Sequence, residues 1–268
     1  MKPAIAVALL WLVFGGLHVG LATRGARSRL TAALGEIGFQ LVFSALAAVS
    51  FAALVHFFAV HRNEGAAGLA LGAVGALRWP LVTVAVLGVA LATSGIGSYL
   101  GSPIALFSER VRPPRGIDRI TRHSFFFGVA LVALAHVLLA THLVGAVFAA
   151  GFAALTLGGG CHQDRKLARL RGEPYADYLA GTSFVPFAAI LAGRQRLVVE
   201  ELPFSTIAVG IGLGIGLHAV NESVFTHGGV WFIAAVLLGA AWLSLETWRA
   251  NQAGRRPDRD EARARETA

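Results

Sequence analysis

The sequence predicts an all-α protein, a polytopic transmembrane helical bundle of six to seven spans, and three observations carry that expectation. Of its 268 residues, 56% are apolar and only 14% are charged, where a soluble domain carries about 25% charged residues. The mean hydropathy is +0.66. Apolar windows near the length a bilayer demands, about 20 residues, recur at roughly 3–23, 37–60, 79–100, 124–141, 143–161, 204–220 and 229–248.

The first window is read as a retained helix, because Lys2 is the one basic residue ahead of it and no small-x-small cleavage site precedes TRGARSR. The fourth and sixth windows are short. The stretch GAAGLALGAVGAL at 65–77 is too short to span and is expected as a surface helix or re-entrant turn. Residues 1–220 thus form one transmembrane domain, 221–248 an additional helix, and 249–268 a basic tail too poor in apolar residues to fold.

The formal net charge is +8, almost all of it arginine, since Lys2 and Lys166 are the only lysines. The arginines sit in short runs between apolar blocks, so lipid headgroups, and no nucleic acid, are the expected anionic partner. Runs at 24–36, 108–122 and 162–196 fall on one side of a seven-span arrangement, and the basic tail joins them. Retention of positive charge on the cytoplasmic side then places the N-terminus outside and the C-terminus inside. The chain has no phosphate-cradling P-loop, no Cys-x-x-Cys-His and no serine nucleophile elbow. Its single Cys161 says nothing about redox compartment.

Histidines inside apolar windows are the candidate functional groups, because ionisable residues at membrane depth are costly. His18 and His136 lie inside their spans, whereas His61, His142 and His227 fall at loop edges and His56 stands alone. His123 and His136 are separated by roughly 140° and 20 Å on one helix, so they cannot share an ion. No His-x-x-x-His pair with a glutamate is present either. Any shared site is assembled between helices. Two imidazoles facing a flat apolar ring are what six-coordinate haem requires, and Gly15, Gly16 and Gly20 around His18 allow a close approach.

The run HVGLATRGARSRLTAALGEIGFQLVFSALAAVS, followed by GIDRITRHSFFFGVALVALAHVLL and then HQDRKLARLRGEPYADYLAGTSFVPFAAILAGR, resembles the NnrU family and its plant and cyanobacterial relative, 15-cis-zeta-carotene isomerase. The resemblance implies a bacterial inner-membrane protein, since bacterial members take their name from gene clusters for nitrite and nitric oxide respiration. It implies non-covalent haem b with two histidine ligands, and these fall on His18 and His136. It also implies either redox isomerisation of a lipophilic polyene or a respiratory role beside a redox partner. The isomerase has a cysteine three residues before the second ligand; here that position is Ala133, so thiolate-for-imidazole exchange there is absent. Helix rise sets His18 and His136 about 10 Å apart in depth, which leaves His123 and His162 as reserve ligands.

A second resemblance gives the alternative. Arg122 and His123, followed by GEPYADY and FVP, resemble the C-terminal half of membrane methyltransferases acting on isoprenylcysteine or phospholipid, which implies S-adenosylmethionine held by Arg122, His123 and Glu173. Ser124 stands where that family has proline, and Asp164 lies where a glutamate-rich pair is expected. A non-catalytic accessory protein of a respiratory complex is the third reading. Catalytic residues, substrate and oligomeric state are not legible in these residues.

Overall fold

The structure is a computed structural model that describes residues 1–98, 102–104, 111–246 and 249. Beyond Arg249, the basic tail lies outside the described residues, as do Arg110 and the ends of the third and seventh windows. Among the described residues every regular element is a helix. All seven apolar windows are helical. They are α1 (Lys2–Leu21), α2 (Arg24–His61), α3 (Gly75–Ser98), α5 (Ser124–Leu139), α6 (Leu143–Arg171), α9 (Phe204–Ala219) and α11 (Thr226–Glu246). Short helices α4 (Ile117–Ile120), α7 (Glu173–Gly181), α8 (Ala188–Leu191) and α10 (Asn221–Val224) lie between them.

Five of the seven are long and apolar enough to cross a membrane, while α5 and α9 are shorter apolar helices. At 1.5 Å per residue these two rise only about 24 Å, short of a hydrocarbon core of about 30 Å. Their ends are carried by polar structure instead. Before α9, Arg119 grips Glu201 through two bonds of 2.9 and 3.0 Å, and the Gly116 amide donates to the same carboxylate at 2.9 Å. These bonds hold the Glu201 carboxyl down at about 2.

The helices pack in the order α2, α1, α6, α5, α3, α9, with the start of α11 returning to α2. Small residues set the closest approach. A Cβ on Gly128 of α5 would meet Ala92 N and Gly88 O of α3 at 2.5 Å, and one on Gly210 would meet Ala90 Cα at 2.5 Å. Lipid tails give no hydrophobic drive between helices, so such backbone-to-backbone packing supplies the association. Where α1, α2 and α6 meet, a buried aromatic cluster forms from Trp11, Phe14, Phe51, Phe58 and Phe148. The Trp11 indole lies against Gly151 and its N–H donates to Phe148 O at 3.1 Å, so the polar atom is paired where no water reaches.

Two segments differ from the sequence expectation. Residues 24–34, expected as a loop, are helical, and they join the span through Gly35 at φ 72°, ψ 168°. An unbroken helix of 38 residues would rise about 57 Å, nearly twice the hydrocarbon thickness. The break therefore separates an arginine-bearing first part from the span, and Arg27 bridges the break to Glu36. The stretch 65–77 is not one helix: it is extended up to Ala70, and Gly75 already begins α3. It is a strap whose amides at Gly68 and Ala70 bond the carbonyls of Thr141 and Ala140, followed by a single 3₁₀ turn at Leu71–Ala73. The arginine runs gather at the end where α1 finishes and α5 begins, the basic end, and the strap closes the far end.

Candidate functional site

At the basic end a closed polar knot joins residues far apart in sequence. Asp164, on the third-last turn of α6, is its hub. His123 Nε2 lies 2.8 Å from Asp164 Oδ1; a carboxylate only accepts, so Nε2 carries the proton. Arg122 places Nε and Nη2 2.9 and 2.8 Å from Oδ2, and Tyr175 of α7 donates to Oδ1 at 3.0 Å. His123 and Tyr175 are both 0% exposed. Burial and the Asp164 charge push the Tyr175 hydroxyl above its ordinary value, so it stays a donor. The Arg122 amide bonds Ser183 O, Phe187 N bonds Ile120 O, and the Thr121 hydroxyl donates to Phe184 O at 2.6 Å. The segment after α7 is thereby stitched to the start of α5.

This knot brings together Arg122 and His123 but not Glu173, which is exposed at the first position of α7. The acid that answers the pair is Asp164, and Tyr175 joins it. Both were visible in the sequence as residues, but not as partners. The available signal was an aspartate inside the basic run HQDRKLAR, which needs a cation in order to be buried. With both carboxylate oxygens engaged and the imidazole fully enclosed, the arrangement can pin three helices. His123 Nδ1 is left buried without a partner.

The second group is open. His18 follows Trp11 by seven residues, two helical turns, so it continues the stripe of α1 that meets α6 and α2. Its ring stacks on Phe14 at 5.5 Å and approaches Phe43 of α2 at 5.3 Å. Nδ1 of His18 is buried and has no hydrogen-bond partner. On α5, His123 and Phe127 face Phe184, and His136 lies roughly 140° around the helix from His123, on the opposite face. That is the side of α6 on which Phe152 meets Phe51 of α2 and Phe232 of α11. His18 and His136 therefore flank one face of α6. Along that face, Gly159 follows Phe152 by two turns; a Cβ on it, or on Gly158 or Gly15, would meet nothing within 4 Å.

Nδ1 of His136 lies 2.8 Å from Val132 O; the carbonyl accepts, which fixes the proton on Nδ1 and leaves the Nε2 lone pair outward. Trp11 marks the level of Gly151, and Phe126 packs against Gly160. Carried along the helices at 1.5 Å per residue, these contacts set the two histidines about 12 Å apart in height, each with its side chain leaning toward the other's level. Among the described residues no three His, Cys, Asp or Glu side chains gather around a metal position. Two imidazoles on an unfilled, glycine-floored apolar face suit a metal whose remaining ligands come with a flat macrocycle. Each histidine fits as a donor to haem. Of the reserve ligands, His123 is committed to the knot, and exposed His162 lies on the line of α6 that faces α1.

The fold and its site define a polytopic helical membrane protein in which His18 and His136 flank one face of α6. The chain belongs to the NnrU family: the family model described as NnrU protein matches residues 6–251. It is 31% identical over 207 residues to the chloroplastic 15-cis-zeta-carotene isomerase of Arabidopsis thaliana, covering 73% of this chain and 53% of that protein. With the chloroplastic 15-cis-zeta-carotene isomerase of Zea mays it shares 26% identity over 203 residues, 72% of this chain and 52% of that protein. The chain spans about half the length of these curated relatives. No solved structure matches it.

Proposed function

We propose that the chain is a membrane isomerase of a lipophilic polyene that works through haem b, with His18 and His136 as the residues that hold it. The observation that carries this reading is the pairing of chemistry and space: His18 has a buried, unpartnered ring nitrogen, His136 has its free nitrogen set by the Val132 bond, and both flank the bare face at Gly159. Similarity to two zeta-carotene isomerases supports the reaction class.

When bound, haem supplies reversible one-electron chemistry to a conjugated double bond. The chain's own residues bind and shield. Phe14 and Phe43 pack on His18 and exclude water from its nitrogen, which strengthens any coordination there. The absent side chain at Gly159 leaves room for an apolar molecule beside α6. Orientation in a bacterial inner membrane, with the basic end cytoplasmic, belongs to the same proposal and rests on the arginine runs. The knot carries no comparable support for S-adenosylmethionine, since its donors are spent on one another.

The test is the absorption spectrum of the detergent-purified protein, oxidised and then dithionite-reduced, with His18→Ala and His136→Ala alongside. A Soret band with sharp reduced α and β bands, lost in both variants, is the expected result. A colourless, folded protein that takes up no added haemin overturns the proposal.

A further inference from the structure

The stripe of α6 that packs on α1 changes character where α1 ends. Through Val144, Phe148 and Gly151 it is apolar and meets Ala4, Val7 and Trp11. At three- and four-residue steps it continues through Gly158 to His162, Lys166 and Arg169, past the level at which α1 stops at Leu21. His162 and Arg169 are exposed and Lys166 is half-buried.

The side chains of these three make no hydrogen bond or ion pair with any described residue. Most other basic-end cations do: Arg112 binds Asp118, Arg119 binds Glu201, Arg122 binds Asp164, and Arg194 donates to Ala180 O. Side chains on a helix lean toward its N-terminus, and α6 runs toward the basic end. His162, Lys166 and Arg169 therefore lean back over Gly158 and the His18 level, not away from it.

We infer that His162, Lys166 and Arg169 bind the carboxylate edge of the molecule seated in the proposed basin between His18 and His136; in the haem reading that edge is the pair of propionates. The inference rests on that reading. It adds an orientation: the apolar edge of the macrocycle points toward Phe152 and the carboxylates toward the basic end. The stripe then ends the basin with charge-assisted bonds at the point where the membrane gives way to water.

The test titrates the purified full chain with haemin and with haemin dimethyl ester, which lacks the carboxylates but keeps the iron and ring. The wild type is expected to bind haemin about tenfold or more tightly than the ester, the worth of a hydrogen bond to a charged group or two. The triple variant His162→Gln, Lys166→Gln, Arg169→Gln is expected to bind both alike, with the Soret position unchanged because His18 and His136 remain. A triple variant that keeps the wild-type preference overturns the inference. So does a variant with wild-type haemin affinity that has lost only copurifying anionic phospholipid, which assigns the stripe to headgroups. If the wild type shifts the Soret band of neither compound, the haem reading itself has failed; a shifted wild-type Soret band with no effect of the triple variant fails this inference alone.

Discussion

His123 Nε2 and Asp164 Oδ1 lie 2.8 Å apart across 41 residues of sequence, in surroundings that leave the imidazole 0% exposed. The bond depends on α5 and α6 running antiparallel in one register, because a shift of a single residue on either helix rotates its side chain by about 100°. Removing one member of a buried ion pair strands the other's charge, which costs about 3–5 kcal/mol. Asp164→Ala is therefore expected to lower the thermal midpoint in detergent steeply. Tyr175→Phe removes one of several bonds to the same carboxylate and is expected to cost about 1 kcal/mol. An Asp164→Ala protein that melts with the wild type would show that the knot is not what pins α6 and α7.

The glycines divide into two kinds with opposite expectations. Gly128 lies where a Cβ would meet the α3 backbone at 2.5 Å, so Gly128→Val forces α3 and α5 apart and costs about 1–3 kcal/mol or more. Melting curves of the purified variants read this directly; equal midpoints for wild type and Gly128→Val refute the close packing.

Gly159 faces open space on the side of α6 between the two histidines, so leucine there fills part of the proposed basin without striking the backbone. Gly159→Leu is expected to melt as the wild type does while its haemin uptake falls at least several-fold. Uptake equal to wild type would place the ligand elsewhere on the molecule.

Much of this fold was legible in the sequence because lipid imposes a one-dimensional signal. Each span needs its own apolar window, and all seven windows are helices. The break at Gly35 was not legible. Residues 24–34 carry a mixed composition that reads equally as loop or helix, and only the geometry of joining it to the span requires a positive φ there. Within the site, His18 and His136 stood out because charge-capable groups are rare at membrane depth. Asp164 did not stand out as a hub. It sits among Arg165, Lys166 and Arg169, and nothing local shows that its partner is Arg122, in the turn before α5. Glu173 was assigned to that pair by resemblance, but it heads a short helix whose buried face is Tyr175 and Tyr178.

A second carboxylate gives the chain a dependence on pH. Asp118, between α3 and α5 and outside the spans, has a side chain only 3% exposed beside Arg112 Nη2 at 2.9 Å and Ser102 Oγ at 3.3 Å. Burial raises its carboxyl from 3.8 to about 6, outweighing the opposing pull of the Arg112 charge and of the Arg112 and Ser102 hydrogen bonds. A folded-state value above the unfolded one means that the folded chain holds the proton more tightly. The resulting stabilisation is full below about 4 and is lost as pH rises through about 6, an effect of up to about 3 kcal/mol. Asp118→Asn cannot titrate, so its thermal midpoint, compared with wild type at each pH, is expected to gain on the wild type between pH 4 and 7 and then to run parallel. A difference that stays constant from pH 4 to 8 would mean that the Arg112 charge, not burial, governs Asp118.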